Sequence, residues 1–178
     1  LFKDGPNLVK KISYGLRFYL FLSFLLDPIY FIYQLISVLR GKENPKRLWE
    51  RWVTKQIKRP SGKLIWLHAA SVGEVMSIVP LIDELEKDQK IQKILLTTST
   101  LSSSKIFENL RFKKTIHQFF PIDFFFLTSI FIKHWKPKIA IFIDSEIWPS
   151  MFTEIKKNKI PLILMNARIT EKSFKKWQ

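Results

Sequence analysis

Hydroxyl, carboxylate and amide side chains follow directly after apolar runs at four places in this sequence. Carboxylates can accept a proton from a substrate, and hydroxyls and backbone amides at the start of a helix can bind an anion. In a parallel sheet such segments lie at the carboxyl ends of strands, where ligands bind. The four segments are residues 68–74, 97–100, 144–149 and 166–168.

The first segment combines a hydroxyl, a glycine and a carboxylate at Ser71, Gly73 and Glu74. One interpretation is catalytic, with the carboxylate as a proton acceptor in the turn that opens a helix. The other is structural, because Ser71 and Glu74 have the spacing of a capping box, in which two side chains satisfy backbone N–H groups at a helix start. The residues by themselves favour the structural interpretation and leave the catalytic one open.

The second and fourth segments carry groups suited to anion binding. Thr98 and Ser99 lie in a run of four hydroxyl residues, which can bind an anion or cap a helix. Asn166 and Arg168 follow an apolar run, where the guanidinium can bind an anionic group or pair with an acidic residue. Both segments are candidates for substrate binding, and the structural alternative stays open for each.

The third segment places two carboxylates, Asp144 and Glu146, at the end of an apolar run and before a helix that Pro149 begins. Capping accounts for the proline at the first helical position and for acidic residues near a helix start. Trp148, beside the carboxylates, is harder to explain by capping. The segment is therefore a candidate for substrate binding, and capping stays open as the structural alternative.

The apolar pattern after residues 60–62 predicts the scaffold that positions these segments. Short apolar runs alternate with stretches of helical periodicity, which indicates five strands and four helices. This alternation is typical of a doubly wound α/β fold with a mostly parallel sheet. The predicted strands are 64–70, 91–98, 116–120, 138–144 and 160–165, and the predicted helices are 74–87, 102–110, 124–135 and 149–157.

The amino-terminal region differs in composition from the rest of the chain, because it contains an apolar stretch at 18–39 in which Asp27 is the one charged side chain. Its length suits a bilayer span, whereas Asp27 and the following proline suit a helix in the membrane interface, and a buried core helix is the third alternative. The basic flank predicts that the rest of the protein is cytoplasmic. We predict a membrane-anchor segment at 1–39, a basic juxtamembrane linker at 40–63 and a folded lobe at 64–178.

Composition excludes several classes of site. The 178 residues include no cysteine, which rules out disulfides, thiolate metal sites and a cysteine nucleophile. The three histidines are widely separated and predict no metal site. The 30 basic and 15 acidic residues give a formal net charge of +15, which favours an anionic partner. We expect a membrane surface and no nucleic acid, because no nucleic-acid-binding motif is present.

Taken in order, the motifs resemble the amino-terminal half of the 3-deoxy-D-manno-octulosonic acid (Kdo) transferases of Gram-negative lipopolysaccharide synthesis. The resemblance runs over nearly the whole chain and includes an apolar amino-terminal segment. The other matching motifs are Arg47-Leu48-Trp49-Glu50-Arg51, the segments 68–74 and 97–100, Pro121-Ile122-Asp123, Ser145-Glu146-Ile147-Trp148-Pro149 and Asn166-Ala167-Arg168.

The resemblance implies the Rossmann-like amino-terminal lobe of a two-lobed GT-B glycosyltransferase. It implies inverting transfer of Kdo from CMP-Kdo to a lipid A precursor at the cytoplasmic face of the inner membrane, without metal or cofactor. It further implies that Glu74 is the general base and that Asp144 is a second catalytic carboxylate. The substrate-binding positions implied by the matching motifs are Ser71, Gly73, Thr98, Ser99, Glu146, Trp148, Asn166 and Arg168.

The sequence departs from the family pattern at two of these places. Asp144-Ser145-Glu146 stands where the family usually has Glu-Thr-Glu, and Leu101-Ser102-Ser103 stands where Pro-Thr-Gly is common. The family's second lobe supplies most contacts to the CMP-Kdo donor, so we expect this chain to need that lobe, for example from a separate chain. The alternatives are an inactive membrane-attached remnant and a basic module that binds lipid or nucleic acid.

Overall fold

A computed structural model describes residues 14–54, 57–144 and 146–167 of the chain. The five predicted strands and the four helices between them are all present, and each observed end lies within two residues of the predicted end. The elements are α1 (Tyr14–Leu39), α2 (Leu48–Arg51), β1 (Leu64–His68), α3 (Val72–Lys87), β2 (Lys93–Thr98), α4 (Leu101–Asn109), β3 (Thr115–Phe119), α5 (Phe125–Trp135), β4 (Ile139–Ile143), α6 (Pro149–Lys157) and β5 (Leu162–Met165).

The strands form one sheet in the order β3-β2-β1-β4-β5, and every neighbouring pair is parallel. The chain moves outward from β1 to β3 and then returns to place β4 on the other side of β1. This reversal creates a topological switch point between β1 and β4, and ligands of doubly wound sheets bind at the carboxyl ends of such strands. The prediction of a mostly parallel, doubly wound sheet is confirmed.

Helices cover both faces of the sheet, which explains why the strands read as continuous apolar runs. On one face, Trp66 of β1 and Phe142 of β4 pack with Phe131 and Trp135 of α5 in one buried cluster. On the other face, strand residues pack with α3 in a second cluster that includes Leu67, Val75, Ile78, Ile82 and Leu96. Two separate cores on opposite faces define the three-layer architecture.

Helix α1 corrects the prediction of an apolar membrane-anchor helix. The apolar stretch does form a helix, of 26 residues with Pro28 inside it. Among the residues that the structure describes, however, no helix combines the length and the hydropathy needed to cross a membrane. Polar residues interrupt the apolar run, and two of them, Gln34 and Ser37, are buried against the protein. The Trp52 indole, for example, donates a 2.7 Å hydrogen bond to Gln34.

The region predicted as a juxtamembrane linker, residues 40–63, contains the short helix α2, which packs on the carboxyl end of β3. Glu50 accepts a 2.9 Å hydrogen bond from the backbone N–H of Phe119. The guanidinium groups of Arg47 and Arg51 lie 4.7 and 4.6 Å from the centre of the Phe119 ring. The motif at residues 47–51 therefore attaches this region to the sheet.

Candidate functional site at the carboxyl edge of the sheet

The imidazole of His68 and the carboxylate of Glu146 meet across the switch point. His68 is the last residue of β1 and is completely buried, and its Nε2 lies 3.2 Å from Glu146 Oε2 in the segment after β4. Glu146 also accepts a 3.1 Å hydrogen bond from the indole of Trp148. The hydrogen bond from His68 holds the pKa of Glu146 below its usual value, although partial burial acts in the opposite direction. Glu146 is therefore an ionised carboxylate at neutral pH.

Behind His68, the hydrogen bonds continue into the core. His68 Nδ1 lies 3.0 Å from the hydroxyl of Thr97, its neighbour on β2. The same hydroxyl accepts a 2.9 Å hydrogen bond from the buried indole of Trp66. The rings of Phe120 and Phe142, centred 4.1 and 4.9 Å from the imidazole, enclose it. The ring of His68 is thus held by polar and apolar neighbours together.

Glu74 lies in the first turn of α3, where its side chain folds back over the preceding loop. Its Oε2 accepts a 2.8 Å hydrogen bond from the backbone N–H of Ala70, and its Oε1 accepts one of 2.6 Å from the Ser71 hydroxyl. Ser71 is the N-cap and accepts a hydrogen bond from the N–H of Glu74. The predicted capping arrangement is confirmed, with Ala70 as the backbone donor instead of the N-cap residue itself.

Gly73 is exposed in the same helical turn, and its backbone does not demand glycine. A Cβ placed there would meet no atom within 4 Å, and the residue is not among those with a left-handed backbone. Neither packing nor backbone conformation therefore explains the glycine. Open space over the start of a helix leaves room for a ligand to approach the backbone.

Ser99 connects the Glu74 loop to the cavity beside the sheet. Its backbone N–H donates a 3.2 Å hydrogen bond to the carbonyl of Ala70, whose own N–H is bonded to Glu74. Its carbonyl accepts a 2.7 Å hydrogen bond from Arg51. Among the described residues, its hydroxyl is buried without a hydrogen-bond partner.

A cavity of about 530 Å³ lies between α1 and the carboxyl edge of the sheet. Half of its lining residues are aromatic, and the lining includes the ion pair of Arg51 with Glu43, which are 3.0 Å apart. Aromatic walls with a few polar groups are typical of small-molecule sites of this size. The lining residues are Tyr19, Tyr30, Tyr33, Glu43, Arg51, Ser99, Phe120, Pro121, Ile122, Asp123, Phe124 and Trp148.

Three further predicted site residues, Asp144, Asn166 and Thr98, make no described hydrogen bond to the His68–Glu146 pair. Asn166 donates a hydrogen bond to Asp144, and both residues have a left-handed backbone, with φ of 57° and 61°. They form a second polar group at the edge between β4 and β5. Thr98 is buried and pairs with His117 at 2.9 Å, so it does not line the cavity. Arg168 lies outside the described residues.

His117 is held neutral between α2 and the sheet. Arg47 lies 2.7 Å from its Nδ1, and burial together with the positive charges of Arg47 and Arg51 lowers the pKa of His117 to about 3. Because a guanidinium only donates, Nδ1 accepts and Nε2 carries the hydrogen that reaches Thr98. Of these residues, His117, Arg47 and Thr98 do not line the cavity, whereas Arg51 does.

The structure adds residues to which the sequence alone assigned no separate role. His68 and Arg51 are almost completely buried, and Asp123 accepts hydrogen bonds from the backbone N–H groups of Ser150 and Met151. His68 could have been predicted from the sequence, because a polar residue at the end of an apolar strand is a signal of a site residue. In the part of the chain that the structure describes, no group of three or more His, Asp or Glu residues could hold a metal ion.

The fold and the site together define a doubly wound α/β protein with two carboxylates and an aromatic cavity beside its switch point. A family model described as 3-deoxy-D-manno-octulosonic-acid transferase (kdotransferase) matches residues 46–178. This match covers well over half of the chain, and the chain therefore belongs to the Kdo transferase family. The recognition made from the sequence motifs is confirmed.

Individual relatives agree with the family match. The chain is 44% identical over 163 residues to a 3-deoxy-D-manno-octulosonic acid transferase of Rickettsia bellii (strain RML369-C), covering 92% of this chain and 39% of the relative. It is 36% identical over 161 residues to a probable mitochondrial enzyme of that name in Arabidopsis thaliana, covering 90% and 36%. For the Haemophilus influenzae transferase the identity is 29%, covering 88% and 37%. The chain thus spans about two fifths of the length of these relatives.

Proposed function

We propose that this chain is the acceptor-binding lobe of a glycosyltransferase that transfers Kdo from CMP-Kdo to a lipid A precursor in lipopolysaccharide synthesis. The aromatic cavity beside the loops of Glu74 and Glu146 supports this proposal most directly. The aromatic rings of the cavity wall can pack against the apolar faces of a sugar. Arg51, in the same wall, can bind the phosphate group of a phosphorylated sugar. Family membership supports the reaction class.

In this proposal Glu74 is the general base. The acceptor hydroxyl gives its proton to the carboxylate while its oxygen bonds to the anomeric carbon of Kdo, and the phosphate of CMP leaves from the opposite face with the bonding electron pair. Capping does not exclude this role. Each carboxylate oxygen has two lone pairs, and each Glu74 oxygen has one described hydrogen bond, to Ala70 or Ser71.

The two hydrogen bonds to Glu74 hold its carboxylate in a fixed position at the start of α3. Exclusion of water by the bound lipid and by a second lobe would strengthen the interaction of this carboxylate with the acceptor hydroxyl.

The remaining predicted residues divide between the two sides of the switch point. We assign Glu146 and Trp148 to the acceptor wall, since Trp148 lines the cavity and Glu146 binds its indole. Ser71, Gly73 and Ser99 belong to the loops nearest the base. We assign Asp144, paired with Asn166, to stabilisation of positive charge that develops on the sugar. Thr98 would act through its backbone at the end of β2, and Arg168 remains a proposed anion-binding residue.

The donor belongs to a second lobe in this proposal. A two-lobed GT-B transferase binds its donor and its acceptor on opposite walls of one cleft, and the described lobe provides one wall. The chain spans about two fifths of its relatives' length, which leaves the remainder of such a protein for the donor wall. Without that wall the reacting atoms are not held together, so we expect no transfer by this chain alone.

We place the protein on the cytoplasmic face of the inner membrane, resting on the lipid surface through α1. Apolar side chains along this helix are exposed, for example Phe18, Ile29, Ile32 and Leu39 at 66, 62, 57 and 87%. Basic residues follow directly at Arg40, Lys42 and Lys46. An apolar helix face beside basic residues is suited to anionic lipid headgroups.

Replacement of Glu74 by glutamine tests the assignment. Measured with the donor lobe present, Kdo transfer should fall roughly 100-fold or more while the melting temperature changes little, because glutamine keeps the size of the side chain and cannot accept the proton. Glu84→Gln is the matched control, since Glu84 is an exposed carboxylate on the same helix. A loss of about 1 kcal/mol in the free energy of unfolding with transfer retained would identify Glu74 as a cap without catalytic function.

A further inference from the structure

A continuous line of hydrogen bonds joins the hydrophobic core to the wall of the cavity. It runs from the indole of Trp66 through the hydroxyl of Thr97 to His68, and from there through Glu146 to the indole of Trp148. The first three residues are completely buried, the Glu146 side chain is 31% exposed, and Trp148 lines the cavity. The line therefore connects the buried interior to the wall of the cavity.

The direction of the hydrogen bond to Glu146 requires a hydrogen on Nε2 of His68. An ionised carboxylate only accepts, so Nε2 must donate to Glu146. On the other side, Nδ1 lies 3.0 Å from the hydroxyl and 3.2 Å from the backbone carbonyl oxygen of Thr97, and the Trp66 indole donates to that hydroxyl. Rotation of the ring would break contacts at both nitrogens at once. The imidazole is thus restricted to one orientation.

Burial of a polar ring in this position needs a reason beyond packing. His68 lies 4.1 Å from the ring of Phe120 and 4.9 Å from that of Phe142, where an apolar side chain would pack without any need for hydrogen-bond partners. Among the described residues, the one hydrogen-bond partner of His68 that is partly exposed is Glu146. The polar contacts of the imidazole therefore indicate that His68 holds the Glu146 carboxylate in position.

We infer that His68 is a positioning residue, which holds the Glu146 carboxylate so that the Trp148 indole stands as one wall of the acceptor cavity. This inference rests on the proposed function in assigning the cavity to the acceptor. Trp148 is also packed at 5.0 Å from Phe120, so its ring is fixed by the carboxylate at one edge and by an aromatic face at the other. An indole held in this way presents a preformed surface to a sugar, and no side-chain rearrangement is needed on binding.

Nitrogen NMR of the unsubstituted 178-residue chain provides the first test. Labelled histidine should show a hydrogen on Nε2 of His68, and a bare Nε2 would overturn the inference. The pH titration of the Trp148 indole N–H, assigned with Trp148→Phe, reports the protonation of Glu146. Its midpoint should lie below the ordinary value for a glutamate, because the bond from His68 lowers the pKa of Glu146.

Two substitutions separate positioning from packing, because glutamine places an N–H near the former Nε2 and asparagine places one near the former Nδ1. His68→Gln should keep the midpoint of the titration and bind lipid A precursor in detergent micelles within about twofold of the unsubstituted chain. His68→Asn should raise the midpoint and weaken binding roughly tenfold, the effect of losing one charge-assisted hydrogen bond. Equal effects of the two variants would assign His68 to packing alone and overturn the inference.

Thr97→Val provides a further test in case the substitutions at His68 prevent folding. Valine preserves the shape of threonine and removes the hydroxyl that orients the His68 imidazole. The substitution should raise the midpoint of the Trp148 titration, by less than His68→Asn does. An unchanged midpoint would contradict the line of hydrogen bonds. If the unsubstituted chain binds no lipid A precursor, the proposed function fails, whereas the nitrogen and titration measurements still decide whether His68 positions Glu146.

Discussion

The hydroxyl of Tyr19 in α1 donates a 2.9 Å hydrogen bond to Asp123, which stands 104 residues later in the sequence. Asp123 also accepts hydrogen bonds from the backbone N–H groups of Ser150 and Met151, at 3.0 and 2.8 Å, and so caps α6 from a distant loop. Burial raises the pKa of Asp123, while these donors partly offset the increase. One carboxylate therefore joins the amino-terminal helix to the helix that follows the predicted Asp144–Pro149 site segment.

Removal of the Tyr19 hydroxyl should loosen α1 from the lobe. We expect Tyr19→Phe to lower the free energy of unfolding by about 1 kcal/mol, because one hydrogen bond to a carboxylate is lost and the ring remains. Tyr33→Phe is the control, since Tyr33 lines the same cavity and is 59% exposed. Urea unfolding of both variants measures the difference, and equal losses would show that the contact with Asp123 contributes nothing specific.

His117 should make the stability of the protein fall as the pH is lowered. Its folded pKa of about 3 lies below the ordinary value of 6.5, so between these values the unfolded chain binds a proton that the folded chain does not. The free energy of unfolding should then decrease by up to roughly 1.4 kcal/mol per pH unit below 6.5. His117→Gln should have a flatter profile between pH 7 and pH 5 in urea unfolding. Parallel profiles for the two proteins would contradict the depressed pKa.

Gly73 should be required for function and not for folding. Gly73→Ala should raise the free energy of unfolding by about 0.5 kcal/mol, because a Cβ there meets no atom and alanine favours the helix. If a ligand approaches this backbone, binding of lipid A precursor should weaken about tenfold.

Gly41→Ala is the control for Gly73→Ala, with the opposite expected effect on stability and no expected effect on binding. A Cβ at Gly41 also meets no atom, but its φ of +67° is left-handed. That substitution should lower stability by about 1 kcal/mol and leave binding unchanged. Unchanged binding in Gly73→Ala would remove the glycine from the proposed site.

Exposed apolar side chains of α1 should account for attachment to lipid. The double variant Ile29→Ser and Ile32→Ser should bind vesicles containing anionic lipid at least roughly tenfold more weakly, since each isoleucine contributes about 1.5 kcal/mol or more when removed from water. Cosedimentation measures this binding. Met76→Ser, which changes an apolar residue of α3 that is 51% exposed, should bind as the unsubstituted chain does. Equal binding by all three proteins would exclude α1 as the lipid contact.

The strands and helices of the lobe could be predicted because each depends on local pattern. Buried parallel strands are short apolar runs and surface helices repeat with the helical period, and these patterns located all five strands and the four helices between them. The cap at Ser71 and Glu74 was equally predictable, since three residues of spacing are enough to define it. The family could be recognised from the order of motifs along the chain.

The membrane-anchor helix shows where local pattern is insufficient. The apolar residues of 18–39 predicted a helix correctly, but the sequence could not show that Gln34 and Ser37 would be buried against the lobe. It also could not show that residues 47–51 would fold onto the end of β3, because that packing joins segments about 70 residues apart. Contacts between distant segments depend on the assembled sheet and not on neighbouring residues.

By itself, the sequence determined the alternation of strands and helices, the polar segments at the strand ends and the family to which they belong. Tertiary structure decided which of those segments meet. His68 and Glu146 are joined because β4 returns to the side of β1, whereas Asp144 is turned toward Asn166 and Thr98 toward His117. Strand order and the side of the sheet to which each residue points are set by packing of both faces at once. No single segment contains that information.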